Sequence, residues 1–348
     1  MSLLDWGWNS HFAAFVSEYP DFRPGRVLTV HSEQYRVADG EAEHLAELSG
    51  SLLFRAESPL DLPAAGDWVL MQPGVIHWIL PRKTALIRHA AGKRAEPQLL
   101  AANLDVLFIV SGLDGDWNPR RLERYLVLAA QSGAKPVIVL NKSDLCLDEA
   151  AVAAQIEAIA PTHRVLWTCA TSGSGVDAIR DVLASGVTGA LVGSSGAGKS
   201  TILNQLLGHQ RQATCEVRED DSRGRHTTTH RQLFALTSGG WLIDMPGLRE
   251  VQLWAGDGAL SAAFDDISAL SPQCRFRDCR HVSEPGCAVI AARDEGLLDP
   301  ARFAAFHKLR SETQRLAAEM DPVLRRQRRQ ADKSGQKLYR KWRRLEGQ

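Results

Sequence analysis

The sequence predicts a multidomain α/β protein in three parts: an N-terminal β domain, a central phosphate-binding domain built on a parallel sheet, and a C-terminal helical domain pinned by metal. Three observations predict it. The loop Gly193-Ser194-Ser195-Gly196-Ala197-Gly198-Lys199-Ser200 stands between a short apolar run and a helical pattern, inside a stretch where strands and helices alternate. Short runs punctuated by Gly, Pro and Asp precede that stretch. Three cysteines and a histidine cluster after it, ahead of a basic tail. A chain of 348 residues accommodates two or three domains. The expected limits are 1–100, 101–256 and 257–348.

In the first part the candidate strands are Arg26–Val30, Tyr35–Val37, Leu52–Phe54, Asp67–Leu70 and Ile76–Leu80. Strands this short and close together predict a small barrel or sandwich. Arg82, Lys83, Arg88, Lys93 and Arg94 follow them. A five-stranded OB-type barrel with a basic side suits nucleic acid; an adaptor with solvated charges is the plainer reading.

In the second part Leu104–Val110, Pro136–Leu140 and Arg164–Trp167 read as strands, and Arg120–Gln131, Ala150–Ile159 and Val176–Leu183 as helices. The loops at the strand ends carry the chemistry. The G-x-x-x-x-G-K-S spacing of residues 193–200 is a phosphate-binding loop. Its glycines let consecutive N–H groups turn inward, and the helix that starts near Thr201 adds its own unpaired N–H groups. Lys199 is placed to reach the outer phosphates and Ser200 to hold magnesium. Asn141-Lys142-Ser143-Asp144 follows a buried strand. The Asp144 carboxylate can accept both N1–H and the 2-amino group of guanine; adenine offers neither donor and would leave a buried charge unpaired. Asn141 can address the purine N7 edge and tie neighbouring loops, and the Lys142 stem can pack over the base. Cys169-Ala170-Thr171-Ser172-Gly173 loosely matches a turn that offers backbone N–H groups to a base oxygen.

Gly224-Arg225-His226-Thr227-Thr228-Thr229 places a threonine run in a polar loop, and any of the three hydroxyls, Thr228 included, can grip magnesium beside a third phosphate. Asp244-Met245-Pro246-Gly247 is a D-x-x-G at the end of an apolar run; Asp244 would hold the metal through water and the Gly247 N–H would sense the terminal phosphate. Leu248 stands where many such enzymes place a water-orienting Gln, so slow intrinsic hydrolysis is expected. His226 is the candidate for orienting water.

In the third part, Cys274-x4-Cys279-x-His281-x5-Cys287 fits a closed tetrahedral zinc site, structural because no coordination position remains for water. Arg302–Leu316 reads as an amphipathic helix. Residues 324–348 hold ten Lys/Arg against two acids, a charge of +8, while the whole chain is neutral. Tyr339 and Trp342 lie among those charges, a mixture that suits RNA and equally a solvated tail. No stretch approaches the roughly 20 apolar residues of a membrane span. The N-terminus lacks a signal peptide's basic start and apolar core, and the scattered cysteines fit a reducing, cytoplasmic setting.

These residues together resemble the RsgA/YjeQ family of circularly permuted, small-ribosomal-subunit-dependent GTPases. The resemblance runs through Gly7-Trp8-Asn9, Gly66-Asp67-Trp68-Val69, Arg120-Arg121-Leu122-Glu123-Arg124-Tyr125, Asn141-Lys142-Ser143-Asp144, the phosphate loop, Gly224-Arg225-His226-Thr227-Thr228-Thr229 and the Cys/His knot. The permuted motif order with that Cys/His spacing is specific; Met245 stands where many members have Thr. The resemblance implies an N-terminal OB-fold, a central permuted GTPase domain and a C-terminal zinc domain. It also implies binding of GTP and GDP, binding to the small subunit and its rRNA late in maturation, hydrolysis stimulated by that subunit, and release afterwards. A cytoplasmic monomer with one zinc and nucleotide-linked magnesium is the expected form.

Overall fold

Five strands close on one another at the N-terminal end of the computed structural model, which describes residues 2–31, 34–89, 97–208, 231–245 and 257–320. They are β1 (Arg23–His31), β2 (Gln34–Ala38), β3 (Glu43–Leu48), β4 (Trp68–Gln72) and β5 (Val75–Ile79). β1 pairs with β2, β2 with β3, β3 with β5, β5 with β4, and β4 returns to β1. Val27, Val37, Ala46, Val69, Met71 and Ile76 fill the interior, and register shifts at Val27/Thr29 and Leu70/Met71 give the curvature that closure requires.

The barrel reading of the N-terminal part is therefore correct, but one strand assignment is not. Leu52–Phe54 lies in a short helix, α2 (Gly50–Arg55), following α1 (Ser10–Val16) in the chain. Ser49 caps α2, its hydroxyl accepting from the Leu52 N–H at 3.2 Å. Only Leu52 turns inward; Phe54 is 91% exposed. Three apolar residues in a row cannot separate a period of 2 from one of 3.6, and the Ser cap decided it. The expected basic side also changes character. Arg82 donates twice to the fully buried Asp67, at 2.8 Å each, and to the Leu60 and Leu62 carbonyls. It is an internal clasp, and Lys93 and Arg94 lie outside the described residues.

A hairpin, β6 (Ala85–His89) with β7 (Pro97–Ala102), leads into the central sheet. That sheet contains β8 (Val106–Gly112), β9 (Lys135–Asn141), β10 (Arg164–Trp167), β11 (Thr188–Gly193), β12 (Gln232–Ala235) and β13 (Trp241–Asp244). Their spatial order is β10-β9-β8-β11-β13-β12, parallel except for β12. Alternate β8 residues serve opposite faces. Leu107 and Ile109 pack on the side of α3 (Pro119–Ser132) and α4 (Glu149–Ile159); Val106, Phe108 and Val110 pack on the side of α5 (Val176–Val182) and α6 (Lys199–Leu207). Covering helices on both faces explain why these strands read as continuous apolar runs. The winding runs outward from β8 and then returns to β11 beside it. Ligand crevices open at such a reversal, outside the carboxyl ends of the strands.

The barrel and the central sheet are joined in three ways. β1 pairs with β12 at Thr29 and Gln232. Trp6 stacks on Trp241 with ring centroids 4.0 Å apart, and Trp241 Nε1 donates to the Asp5 carbonyl at 2.8 Å. Arg26 is wholly buried, donating to the Trp6 carbonyl and, at 2.7 Å, to Thr188 Oγ1. Burial lowers its pKa to about 10 against the opposing pull of Asp105 and Asp67.

The C-terminal part contains α7 (Asp257–Ala263), α8 (Asp265–Leu270), α9 (Ala288–Asp294) and α10 (Pro300–Met320). It docks on α3 through Leu260, Phe264 and Phe306, which share a core with Leu122 and Leu126. The expected helix Arg302–Leu316 lies within α10.

Candidate nucleotide site and metal centre

Every candidate nucleotide motif within the described residues leaves the sheet at its carboxyl edge. β11 ends in the phosphate loop, β9 in Asn141–Asp144, β10 in the Cys169–Gly173 turn and β13 in Asp244. The loop geometry is one only glycine permits at its pivots. Gly196 and Gly198 have φ of 81° and 92°, and a Cβ on Gly198 would lie 2.1 Å from Asn141 Nδ2.

Asn141 explains that tight approach. Its side chain is buried; Nδ2 donates to the Ala197 carbonyl at 2.9 Å. Its Oδ1 accepts from Thr168 Oγ1 at 3.1 Å and from the Ala170 N–H at 3.0 Å. One amide thus fastens the phosphate loop to the Cys169–Gly173 turn, the tying role expected of it. Gln205 supports the same turn by donating to the Ala170 carbonyl at 3.0 Å. Lys142 adopts a left-handed φ of 60°, and its ammonium pairs with Asp114. Ser143 and Asp144 follow in a 3-10 turn, with Asp144 exposed at the mouth of the crevice.

Lys199, the first residue of α6, folds back over the loop and donates to the Gly193 and Ser194 carbonyls at 2.9 and 2.5 Å. Ser200 and Thr201, next along the helix, are half-buried. Burial lowers the Lys199 pKa to about 8, with Asp116 and Asp244 opposing. A phosphate that replaced the loop carbonyls as its partner would favour the charged form and raise that pKa again. Nucleotide binding above pH 8 should therefore take up a proton, and affinity should fall as pH rises through about 8. Calorimetry in buffers of different ionisation enthalpy checks this; binding without proton uptake at pH 8.5 would refute it.

Two acids in the loop after β8 were not foreseen. Asp114 holds Lys142, while Asp116 accepts from Ser194 Oγ and from Arg121 at 2.6 Å. The available signal was their position in Gly112-Leu113-Asp114-Gly115-Asp116, directly after a buried parallel strand. Gly224–Thr229, with His226 and Thr228, and Gly247 lie outside the described residues, as does the basic tail.

In the C-terminal part the four expected ligand atoms come together. One atom each of Cys274, Cys279, His281 and Cys287 lies within 4.8 Å of all the others. The Cys274 and Cys287 sulfurs are 3.8 Å apart, and His281 Nδ1 is 3.6 and 3.3 Å from them. A tetrahedron with metal–sulfur bonds of about 2.3 Å has an edge of about 3.8 Å, so the set fits such an ion. Serine and glutamate side chains shape the centre. Ser271 Oγ lies 3.2 Å from His281 Nε2, orienting the ring. Glu284 accepts from the N–H groups of Arg280, Val282 and Ser283 at 2.9, 2.8 and 3.1 Å, which lowers its pKa to about 2. That carboxylate templates the turn between His281 and Cys287. The cluster can hold a metal ion.

Comparison with known proteins bears on the whole arrangement. Residues 79–254 match the RsgA GTPase family. The chain is 44% identical to the small ribosomal subunit biogenesis GTPase RsgA of Opitutus terrae, with 100% of this chain and 99% of the relative aligned. The chain belongs to the RsgA GTPase family. Its activity is accordingly hydrolysis of GTP. The small ribosomal subunit biogenesis GTPase RsgA of Xylella fastidiosa M23 is 47% identical over 90% of this chain and 96% of its own. The crystal structure of YjeQ from Thermotoga maritima superposes with a TM-score of 0.63 at 27% identity, covering 84% of this chain and 99% of that one. An RsgA-type fold therefore accounts for the barrel, the permuted sheet order and the Cys3His cluster together. Among the described residues no helix is long and apolar enough to cross a membrane.

Proposed function

We propose that this GTPase binds the small ribosomal subunit through its rRNA late in maturation, hydrolyses GTP under stimulation by the subunit, and then dissociates. The observation that carries the reading is the end-to-end alignment with a relative named for small-subunit biogenesis. Three working parts support it: residues 1–100 as an RNA-facing barrel, 101–256 as the GTPase and 257–348 as a zinc domain with a basic tail. The expected setting is cytoplasmic, and the expected working form is a monomer.

In this reading the residues divide the work. Asp144 selects guanine, with Asn141 and Lys142 at the purine and Ser143 closing the turn. The Ala170 N–H is already taken by Asn141, so the base oxygen is met further along, at Thr171 or Ser172. Residues Gly193 to Thr201 wrap the phosphates. Lys199 leaves the loop carbonyls for phosphate oxygens, a movement of one flexible side chain that costs no backbone rearrangement. Ser200 and Asp244 are the magnesium-side residues, and magnesium would supply charge neutralisation on the phosphates. Thr228, His226 and Gly247 complete the site as switch residues, with His226 in place of the water-orienting amide that Leu248 cannot provide. The Cys3His cluster would hold zinc, whose role there is structural because all four positions come from protein.

The test is multiple-turnover GTP hydrolysis with and without purified small subunits, with GDP release measured in parallel. Stimulation by the subunit is expected. Turnover indifferent to the subunit would overturn the reading in favour of a nucleotide-gated RNA-binding module.

A further inference from the structure

The switch at Asp244 enters the C-terminal domain by chain connection, but a second, non-covalent route crosses the opposite flank of the phosphate loop. It begins at Ser194 Oγ, which donates to Asp116. The other Asp116 oxygen accepts from Arg121 at 2.6 Å, and Arg121 also reaches the Asp116 carbonyl at 3.3 Å. Arg121 lies in the first turn of α3, whose cap, Asn118, accepts from the N–H groups of Arg120 and Arg121.

From α3 the route enters the Cys3His domain at three points. Arg120 bridges Glu123 and Asp299, both at 2.6 Å. Glu123, itself fully buried, accepts from Arg302 at 3.0 Å, and Arg302 also holds Asp266 at 2.6 and 2.8 Å. Arg124 forms a two-pronged pair with Glu312 at 2.8 and 2.6 Å. Glu123 and Arg302 are buried, and the Arg124–Glu312 and Arg302–Asp266 pairs are two-pronged, so these contacts favour one geometry and weaken when it shifts. Arg121, on the phosphate-loop side, and Arg120, Glu123 and Arg124, on the domain side, all lie in the first six residues of α3, so that end of the helix cannot move without disturbing both.

We infer that Asp116 is a positioning residue of the phosphate loop, and that through Arg121 and α3 it couples occupancy of the loop to the seating of the Cys3His domain. The coupling rests on the reading of residues 193–200 as a phosphate site. Linkage makes it reciprocal: what loosens the domain at Glu123 weakens nucleotide, and nucleotide steadies the domain.

Fluorescent GDP binding and hydrogen exchange of α10 amides, both on the full-length, zinc-loaded chain, test the inference. GDP should slow α10 exchange in the unmodified protein. In Asp116→Asn and in Arg121→Gln, GDP still binds but the slowing is lost. Glu123→Gln, whose carboxylate meets Arg120 and Arg302, should weaken GDP about fivefold. Combining it with Asp116→Asn should add nothing further, because both cut one route. A merely structural part for Asp116 would lower thermal stability yet leave the two effects additive and the α10 slowing intact; that result overturns the inference. Failure of the unmodified chain to bind GDP would overturn the phosphate-site reading and this inference with it. Binding without α10 slowing would overturn the inference alone.

Discussion

Asp144→Asn should lose guanine selectivity. A carboxylate accepting two N–H groups is replaced by an amide with one acceptor and one donor group, and the donor meets the guanine 2-amino group. A hydrogen bond to a charged group contributes about 1.5–3 kcal/mol, so losing one and misdirecting its neighbour predicts GDP binding weaker by about a hundredfold. Xanthine carries a carbonyl where guanine carries that amine, so the same variant should bind XDP better than GDP. The fold should be untouched, because Asp144 is exposed and the loops are tied by Asn141. Competition of GDP, XDP and ADP against a fluorescent nucleotide measures all three. Unchanged preference for GDP in the variant would remove Asp144 from the base site.

Loss of metal should cost the C-terminal domain its order. The knot residues offer little core: Phe276 and Val282 face solvent, and only His281 and Cys287 of the four ligands are buried. In small domains of this type, metal binding contributes on the order of 10 kcal/mol to folding. Cys287→Ser removes a ligand and also the sulfur that accepts from Ile290 at the start of α9. The expected result is one zinc per chain lost, reduced helical signal, and a separate early melting transition for the domain. The central sheet should still melt cooperatively, since the core on its α5–α6 face includes no residue of the C-terminal part. Elemental analysis and calorimetry decide the matter: full zinc content in Cys287→Ser would falsify the ligand set.

The candidate site was more legible in the sequence than the joints between parts. The candidate phosphate loop at 193–200, Asn141–Asp144 and the four clustered Cys and His residues stand out because phosphate, guanine and a tetrahedral metal would each demand particular residues at fixed spacing. Buried parallel strands were equally plain, since their apolar runs carry no alternation. Leu52–Phe54 misled because three residues hold no period. β3, Glu43-His44-Leu45-Ala46-Glu47-Leu48, was invisible for a related reason: only Ala46 is fully buried, so no apolar face stands out. The ties made by Arg82, Glu123 and Asp116 were hidden because charged residues look solvated in any linear reading. Only the fold shows that Arg82 serves a buried carboxylate, or that Glu123 meets a guanidinium 179 positions away.

The bridge between Thr29 and Gln232 has a consequence for solubility. It joins the barrel to β12, the outermost strand of the nucleotide sheet, through one residue pair. Among the described residues, the end of the eleven-stranded sheet away from the barrel is β10, which is four residues long and begins with Arg164. A border that short, led by a cation, is a poor template for another chain's strand. That end of the eleven-stranded sheet therefore carries little invitation to aggregate.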